Sequence, residues 1–306
     1  MTQRAAVAAL LSGLLLAGCS SSAEEPDELA PPPVSSAAPA ESGETAVAGA
    51  SAAPLTETVE QDLDLALSTP VEDSVYPKVG DPGVDALLYD LHLSWDPEAR
   101  RLTADAIVTF RASRTAPRFQ LDLSPALTAG RVSVDGEPVA FARRGKNLVV
   151  TAPTTTDERY ELTLDYVGRP RAAPAPTTRS DFSTTGFTIT DTGEVWTMQE
   201  PYGAYTWYPV NDQPSDKALY DITVTAPAPW TAISNGHLTR LVTADDLTTT
   251  SWQLTEPASS YLVTLAIGDY AHSSNTAASG LRVDYWTPRG MVVDLNRLQT
   301  AAASID

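Results

Sequence analysis

The chain has one cysteine, Cys19, and three histidines, His92, His237 and His272. A single cysteine excludes an intramolecular disulfide. None of the histidines is followed by Glu, so the zinc-helix motif H-E-x-x-H is missing. Metal sites usually draw their ligands from close or helically spaced pairs, and these three imidazoles are isolated. Each is therefore read as a surface or internally satisfied side chain, and no metal ligand is assigned. The chain also lacks G-x-S-x-G, S-x-x-K and the phosphate-cradling G-x-x-x-x-G-K-[ST], which removes three common catalytic signatures. Positive charge is missing from Ser20 to Pro77, where twelve Asp and Glu occur with no Lys or Arg. From Lys78 onward 19 basic side chains face 27 acidic ones, so more than half of the net charge of −19 comes from that one stretch. No basic stripe exists to meet a phosphate backbone, which argues against a nucleic-acid partner.

The N-terminus carries what the rest lacks. Arg4 precedes an apolar run, Ala5 to Leu16, of signal-peptide length and too short to span a bilayer. The run ends in Leu16-Ala17-Gly18-Cys19, which resembles a bacterial lipobox, and Cys19 is the expected lipidation site. Residues 1–19 are read as a lipoprotein signal peptide. Two acyl chains suffice for stable anchoring, so the expected location is exported, extracytoplasmic and lipid-anchored to the membrane through Cys19. Residues 20–75 are rich in Ala, Ser, Pro and Glu, a composition that buries too little apolar area to offset chain entropy; a disordered tether is expected.

Beyond it the pattern has period two. Leu102, Ala104, Ala106, Val108 and Phe110 share one face, and Tyr160, Leu162, Leu164 and Tyr166 repeat the code. Tyr220, Ile222 and Val224 do the same, as do Tyr261, Val263, Leu265 and Ile267. Asp135-Gly136 and Asn235-Gly236 punctuate neighbouring runs as turns. The expected fold is all-β and β-sandwich-like over residues 76–288, with 169–180 as a long connection. Helical periodicity starts only at Val292, Leu295, Leu298 and Ala302, so residues 289–306 are expected to open a helical region that continues past Asp306.

The informative stretch runs from Trp196 to Ala218. It holds Glu200, Tyr208-Pro209, Asp212, Pro214 and Lys217-Ala218 in the order and spacing of the aminopeptidase N family, gluzincin zinc metallopeptidases. Asp81-Pro82-Gly83 through Leu93 resembles that family's opening strand, and Trp252 through Tyr270 resembles the close of its N-terminal domain. The resemblance covers residues 81–270.

The resemblance implies a saddle-shaped β domain that packs on a zinc-bearing catalytic domain. It implies that Glu200 binds the free α-amine of a peptide substrate, with Met198 and Gln199 as neighbouring substrate-binding candidates. Met198 stands where the family commonly has Gln, and in a regular strand Gln199 points to the face opposite Glu200. Asp212, Asp216 and Lys217 are read as turn and fold determinants, since Asn211-Asp212-Gln213-Pro214 has turn chemistry. The implied parent is a secreted, membrane-anchored zinc aminopeptidase that removes N-terminal residues. Its catalytic residues and zinc ligands are expected beyond residue 306, so this chain alone is expected to be inactive. The alternative is a non-catalytic β-sandwich lipoprotein that binds or scaffolds.

Overall fold

Alternating side chains put one face of each strand in a core and the other in water, and the period-two runs fold accordingly. A computed structural model describes residues 55–176, 183–277 and 279–290. Cys19, the leader, most of the tether and the periodic stretch at 292–302 lie outside the described residues.

In chain order the strands are β1 (Val84–Asp96), β2 (Arg101–Ala112), β3 (Phe119–Asp122), β4 (Leu127–Val134), β5 (Glu137–Pro138) and β6 (Ala140–Arg144). Next come β7 (Asn147–Thr151), β8 (Arg159–Gly168), β9 (Ala173–Pro174), β10 (Thr184–Ile189), β11 (Val195–Met198) and β12 (Lys217–Pro227). The last are β13 (Thr231–Ser234), β14 (His237–Ala244), β15 (Leu247–Ser259), β16 (Leu265–Gly268), β17 (Tyr270–Thr276) and β18 (Arg282–Pro288). Three 3₁₀ turns, Leu63–Ala66, Ala204–Thr206 and Ser260–Leu262, are the helical pieces among the described residues.

Eight strands form the main sheet in the order β14-β15-β12-β1-β2-β8-β4-β5, in which β1 and β12 run parallel. A five-stranded sheet (β13-β16-β11-β10-β9), a three-stranded sheet (β3-β7-β6) and the β17-β18 hairpin complete the set. Leu102 through Phe110 of β2 and Leu162, Leu164 and Tyr166 of β8 are buried, and their alternates face outward. They share one core with Trp95, Phe187, Val195, Trp207, Tyr208 and Tyr220, so the main and five-stranded sheets close on the same apolar interior.

As expected, Asp135-Gly136 makes a tight β4–β5 hairpin, with both residues at positive φ. Three other details depart from the pattern. Asn235-Gly236 instead passes the chain from the five-stranded sheet to the main sheet, because β13 pairs with β16 and β14 with β15. The run from Tyr261 to Ile267 is not one strand. Val263, Leu265 and Ile267 are buried, but Tyr261 lies in the 3₁₀ turn, and pairing starts only at Leu265.

The third departure corrects the tether. Composition places residues 20–75 in a disordered stretch, yet from Leu55 the chain is strapped along the main sheet. Register shifts between Ala86 and Leu88 in β1, and between Ala218 and Tyr220 in β12, accompany a second apolar cluster, in which Leu87 and Leu219 are covered by Ala66 and Leu63. The strap is otherwise held by polar contacts. Thr56 N–H donates to the Leu238 carbonyl (2.8 Å), and Gln61 Nε2 to Asp221 Oδ1 (3.1 Å). Ser68 donates to Asp85 from its N–H (3.1 Å) and its Oγ (2.5 Å). Asp85 is fully buried and paired with Arg111, whose Nη2 also donates to the Ser68 carbonyl (2.7 Å). A chain beginning at Tyr76 uncovers Leu87 and Leu219 and removes the Ser68 donors. Urea unfolding is expected to find it about 3 kcal/mol or more less stable than one beginning at Leu55.

Candidate functional site

The site grows out of the end of β11. In that strand Val195 and Thr197 point into the core, and Trp196 and Met198 point away from it. Continued for two residues, the alternation turns Gln199 inward and Glu200 outward. Gln199 is 1 % exposed, whereas Glu200 is exposed.

The two neighbours therefore do opposite things. Gln199 Nε2 donates to the carbonyls of Ser260 (2.7 Å) and Val263, and its Oε1 accepts from Trp207 Nε1 (3.0 Å). Both amide hydrogens and the carbonyl are committed inside the protein. The expectation that Gln199 binds substrate is corrected on this ground: it is a clamp between β11, the 260–262 turn and Trp207. Met198 is half-buried, and its carbonyl accepts from Thr185 Oγ1 (3.1 Å). Among the described residues the Glu200 carboxylate has no hydrogen bond or ion pair. The peptide bond from Glu200 to Pro201 is cis.

The loop that follows is fixed from below by Asp212. Its Oδ2 accepts from the N–H groups of Gly203 (2.9 Å) and Tyr205 (3.2 Å), and its Oδ1 accepts from Ser260 Oγ (2.7 Å). Thr185 Oγ1 donates to the Tyr202 carbonyl as well as to that of Met198. Thr206 Oγ1 accepts from Phe187 N–H (2.9 Å), and it packs on Gly186, whose positive φ and lack of a Cβ permit that approach. The Tyr202 ring meets Tyr76 edge-on (5.2 Å between centroids) and Tyr205 at 6.4 Å, so aromatic rings flank the loop.

The next turn anchors the loop to the main sheet. Asn211 Nδ2 donates to the Val84 carbonyl (2.8 Å) and to Asp216 Oδ2 (2.6 Å), and its Oδ1 accepts from Asp81 N–H (2.6 Å). Asp216 also accepts from Ala86 N–H (3.1 Å). Asp212 and Asp216 thus serve the fold through long-range contacts. Burial drives Asp216 well above the usual carboxylate range and raises Asp212 to about 6. Lys217 is exposed.

Among the described residues no three His, Cys, Asp or Glu side chains could hold a metal ion together. His92 pairs with Asp90 (3.1 Å), His272 with Asp284 (2.7 Å), and His237 is exposed at the start of β14. What the arrangement offers is one water-facing carboxylate on a loop held rigidly from beneath, suited to a cationic ligand.

Two measurements separate the clamp from the free carboxylate. Gln199→Ala strands the Trp207 N–H and two carbonyls, and is expected to cost about 2–4 kcal/mol in urea unfolding, against about 0.5 kcal/mol or less for Glu200→Ala. Asp212 gives a pH signature. Its folded pKa of about 6 lies above the ordinary 3.8, so the folded state holds the proton more tightly. The stability this adds is complete below about pH 4 and is lost as pH rises through 6, about 3 kcal/mol in all. Asp212→Asn imitates the protonated form, so wild type should lose stability relative to this variant between pH 4 and 7.

The Peptidase M1 N-terminal domain family matches residues 86–262. Glutamyl aminopeptidase of Rattus norvegicus is 29% identical over 151 residues, 49% of this chain and 15% of its own. Aminopeptidase Q of Felis catus is 30% identical over 177 residues, 55% of this chain and 17% of its own. A two-domain M1 zinc metallopeptidase solved with bound L-tryptophan superposes with a TM-score of 0.65 at 25% identity, over 76% of this chain and 55% of that one. The M1 zinc metallopeptidase of Deinococcus radiodurans, solved with a Tyr-Ser-Ala substrate, gives 0.63 at 26% identity, over 74% and 54%. The chain thus spans about half the length of these solved enzymes and under a fifth of these two curated relatives. Its nearly all-strand architecture is that of the M1 N-terminal β domain, and the chain belongs to the M1 peptidase family.

Proposed function

We propose that this chain is the N-terminal part of a secreted, membrane-anchored zinc aminopeptidase, in which Glu200 receives the α-ammonium of a peptide substrate. The observation that carries the reading is the contrast at 199–200: the whole side-chain amide of Gln199 is spent on the fold, while the adjacent carboxylate faces outward without a partner among the described residues. A carboxylate opposite an ammonium makes a charge-assisted hydrogen bond, and only a chain's free N-terminus supplies that group next to the first peptide bond. The pairing selects exopeptidase over endopeptidase cleavage by placing the terminal residue.

In water such a pair contributes little; it strengthens once a second surface excludes solvent. Trp196 (45 % exposed), on the Glu200 side of β11, and Leu262 (50 %), on the turn gripped by Gln199, offer apolar area for that surface. Met198, between Trp196 and Glu200, adds an apolar thioether side chain to the same side of the strand.

In this reading the zinc of the parent enzyme and its ligands belong to a region beyond residue 306, and this domain's share is substrate placement. Export and anchoring rest on Arg4, the apolar run to Leu16 and Cys19. Among the described residues no helix is long and apolar enough to cross a membrane.

The test uses the parent enzyme, expressed from its coding sequence read past Asp306. Glu200→Gln is expected to lower kcat/KM for aminoacyl anilides about 100-fold, chiefly through KM, with zinc content unchanged. Unchanged kcat/KM would remove Glu200 from substrate binding. A reading frame without H-E-x-x-H would leave the non-catalytic lipoprotein as the better reading.

A further inference from the structure

The three-stranded sheet β3-β7-β6 turns one face to the core through Phe119, Leu121, Leu148 and Val150. Its other face, with Gln120, Asn147 and Val149, floors a groove of about 860 Å3. Cations from three separate segments wall this groove: Lys78 from the stretch between the strap and β1, Arg114 and Arg118 from the β2–β3 connection, and Arg144 from the end of β6. The side chains of Lys78, Arg118 and Arg144 are exposed and, among the described residues, make no ion pair or hydrogen bond. Arg114 gives one nitrogen to Asp81 (2.7 Å) but keeps 57% of its side chain exposed. Glu72 is the one acidic side chain of the lining besides Asp81.

Three unpaired cations gather here although acidic side chains outnumber basic ones by 27 to 19 from Lys78 onward. An acidic ligand meets repulsion over most of such a surface and attraction here. Four cations line a groove of about 860 Å3, far more room than one small anion fills, which suits a string of charges. The floor between them is mixed: Val149 and the flanking Pro77 and Pro82 are apolar, and Asn147 offers an amide that both donates and accepts. Alternating apolar and backbone-like contacts fit a polypeptide, and guanidinium groups fit carboxylates.

We propose that this groove is a docking surface for an acidic, extended peptide segment, distinct from the Glu200 carboxylate, which is built for a cation. The two surfaces meet at one contact: Tyr76, adjacent to Pro77 of the groove, packs against Tyr202, two residues past Glu200. The inference stands on binding by this chain alone and does not require the aminopeptidase reading.

The test is fluorescence anisotropy of the purified chain with a labelled peptide alternating Glu and Ser. Binding is expected at low ionic strength and should weaken as salt rises from about 0.05 to 0.3 M. The triple variant Lys78→Ala, Arg118→Ala, Arg144→Ala should weaken it about tenfold, while Arg131→Ala, an exposed arginine elsewhere, should not. Arg118→Glu alone, at an exposed position without fold contacts, keeps the test open if the triple variant fails to fold; it too should weaken binding. The proposal is overturned if a Gln-Ser peptide binds equally well, if the groove variants bind as wild type does, or if no binding is seen. It is also overturned if short-chain polyphosphate binds the groove more tightly than the peptide, which would reassign the surface to phosphate polymers.

Discussion

A carboxylate taken out of water must be met by donors on several sides, and the loop bearing Glu200 is shaped by how Asp212 is met. Three donors converge on it: two backbone N–H groups from the loop and a hydroxyl from the turn at Ser260. Gln199 grips the same turn from the other side through the carbonyls of Ser260 and Val263. One acceptor and one amide thus join β11, the loop, the 260–262 turn and Trp207 into a single unit. Removing either leaves buried polar groups unanswered, which costs more than the bonds themselves are worth. The function proposed for Glu200 depends on this arrangement, because a carboxylate places a substrate only as well as its own backbone is placed.

The same logic repeats where the central strands β1 and β12 of the main sheet begin. Asn211 connects Asp81, Val84 and Asp216, and Asp216 holds Ala86 where β1 is irregular. Asp85, one residue earlier, holds the strap through Ser68. Burial raises the pKa of Asp85, Asp212 and Asp216 alike. The cost of burying these acids is offset by geometry: each fixes a segment that has no ladder of its own. A polar network of this kind adds little net stability but restricts the number of alternative arrangements.

How much of this was legible in the sequence depended on the range of the interaction. The alternation in β2, β8 and β12 is a local code, and it translated directly into buried and exposed faces. So did the opposition of Gln199 and Glu200, which follows from one more step of the same period. The strap at 55–75 was not legible, because its few apolar contacts are scattered and its bonds go to residues up to 194 positions away. The pairing of Asn235-Gly236 with two different sheets was hidden for the same reason: a turn signal states that the chain reverses, not which sheet receives it. The turn at Ser260–Leu262 interrupts an alternating pattern, and only its tertiary partners Gln199 and Asp212 explain it. The groove on the outer face of the three-stranded sheet left no local motif, since its cations come from three segments.

Family membership rests on a match over residues 86–262 together with the fold, whereas the chemistry assigned to Glu200 rests on one carboxylate and its surroundings. The most direct measurement is a crystal structure of the parent enzyme with a free amino acid bound. The account predicts the α-ammonium within hydrogen-bond distance, about 3 Å, of the Glu200 carboxylate, with Gln199 still bonded to Ser260, Val263 and Trp207. An ammonium held by other groups, with Glu200 turned to solvent, would contradict it.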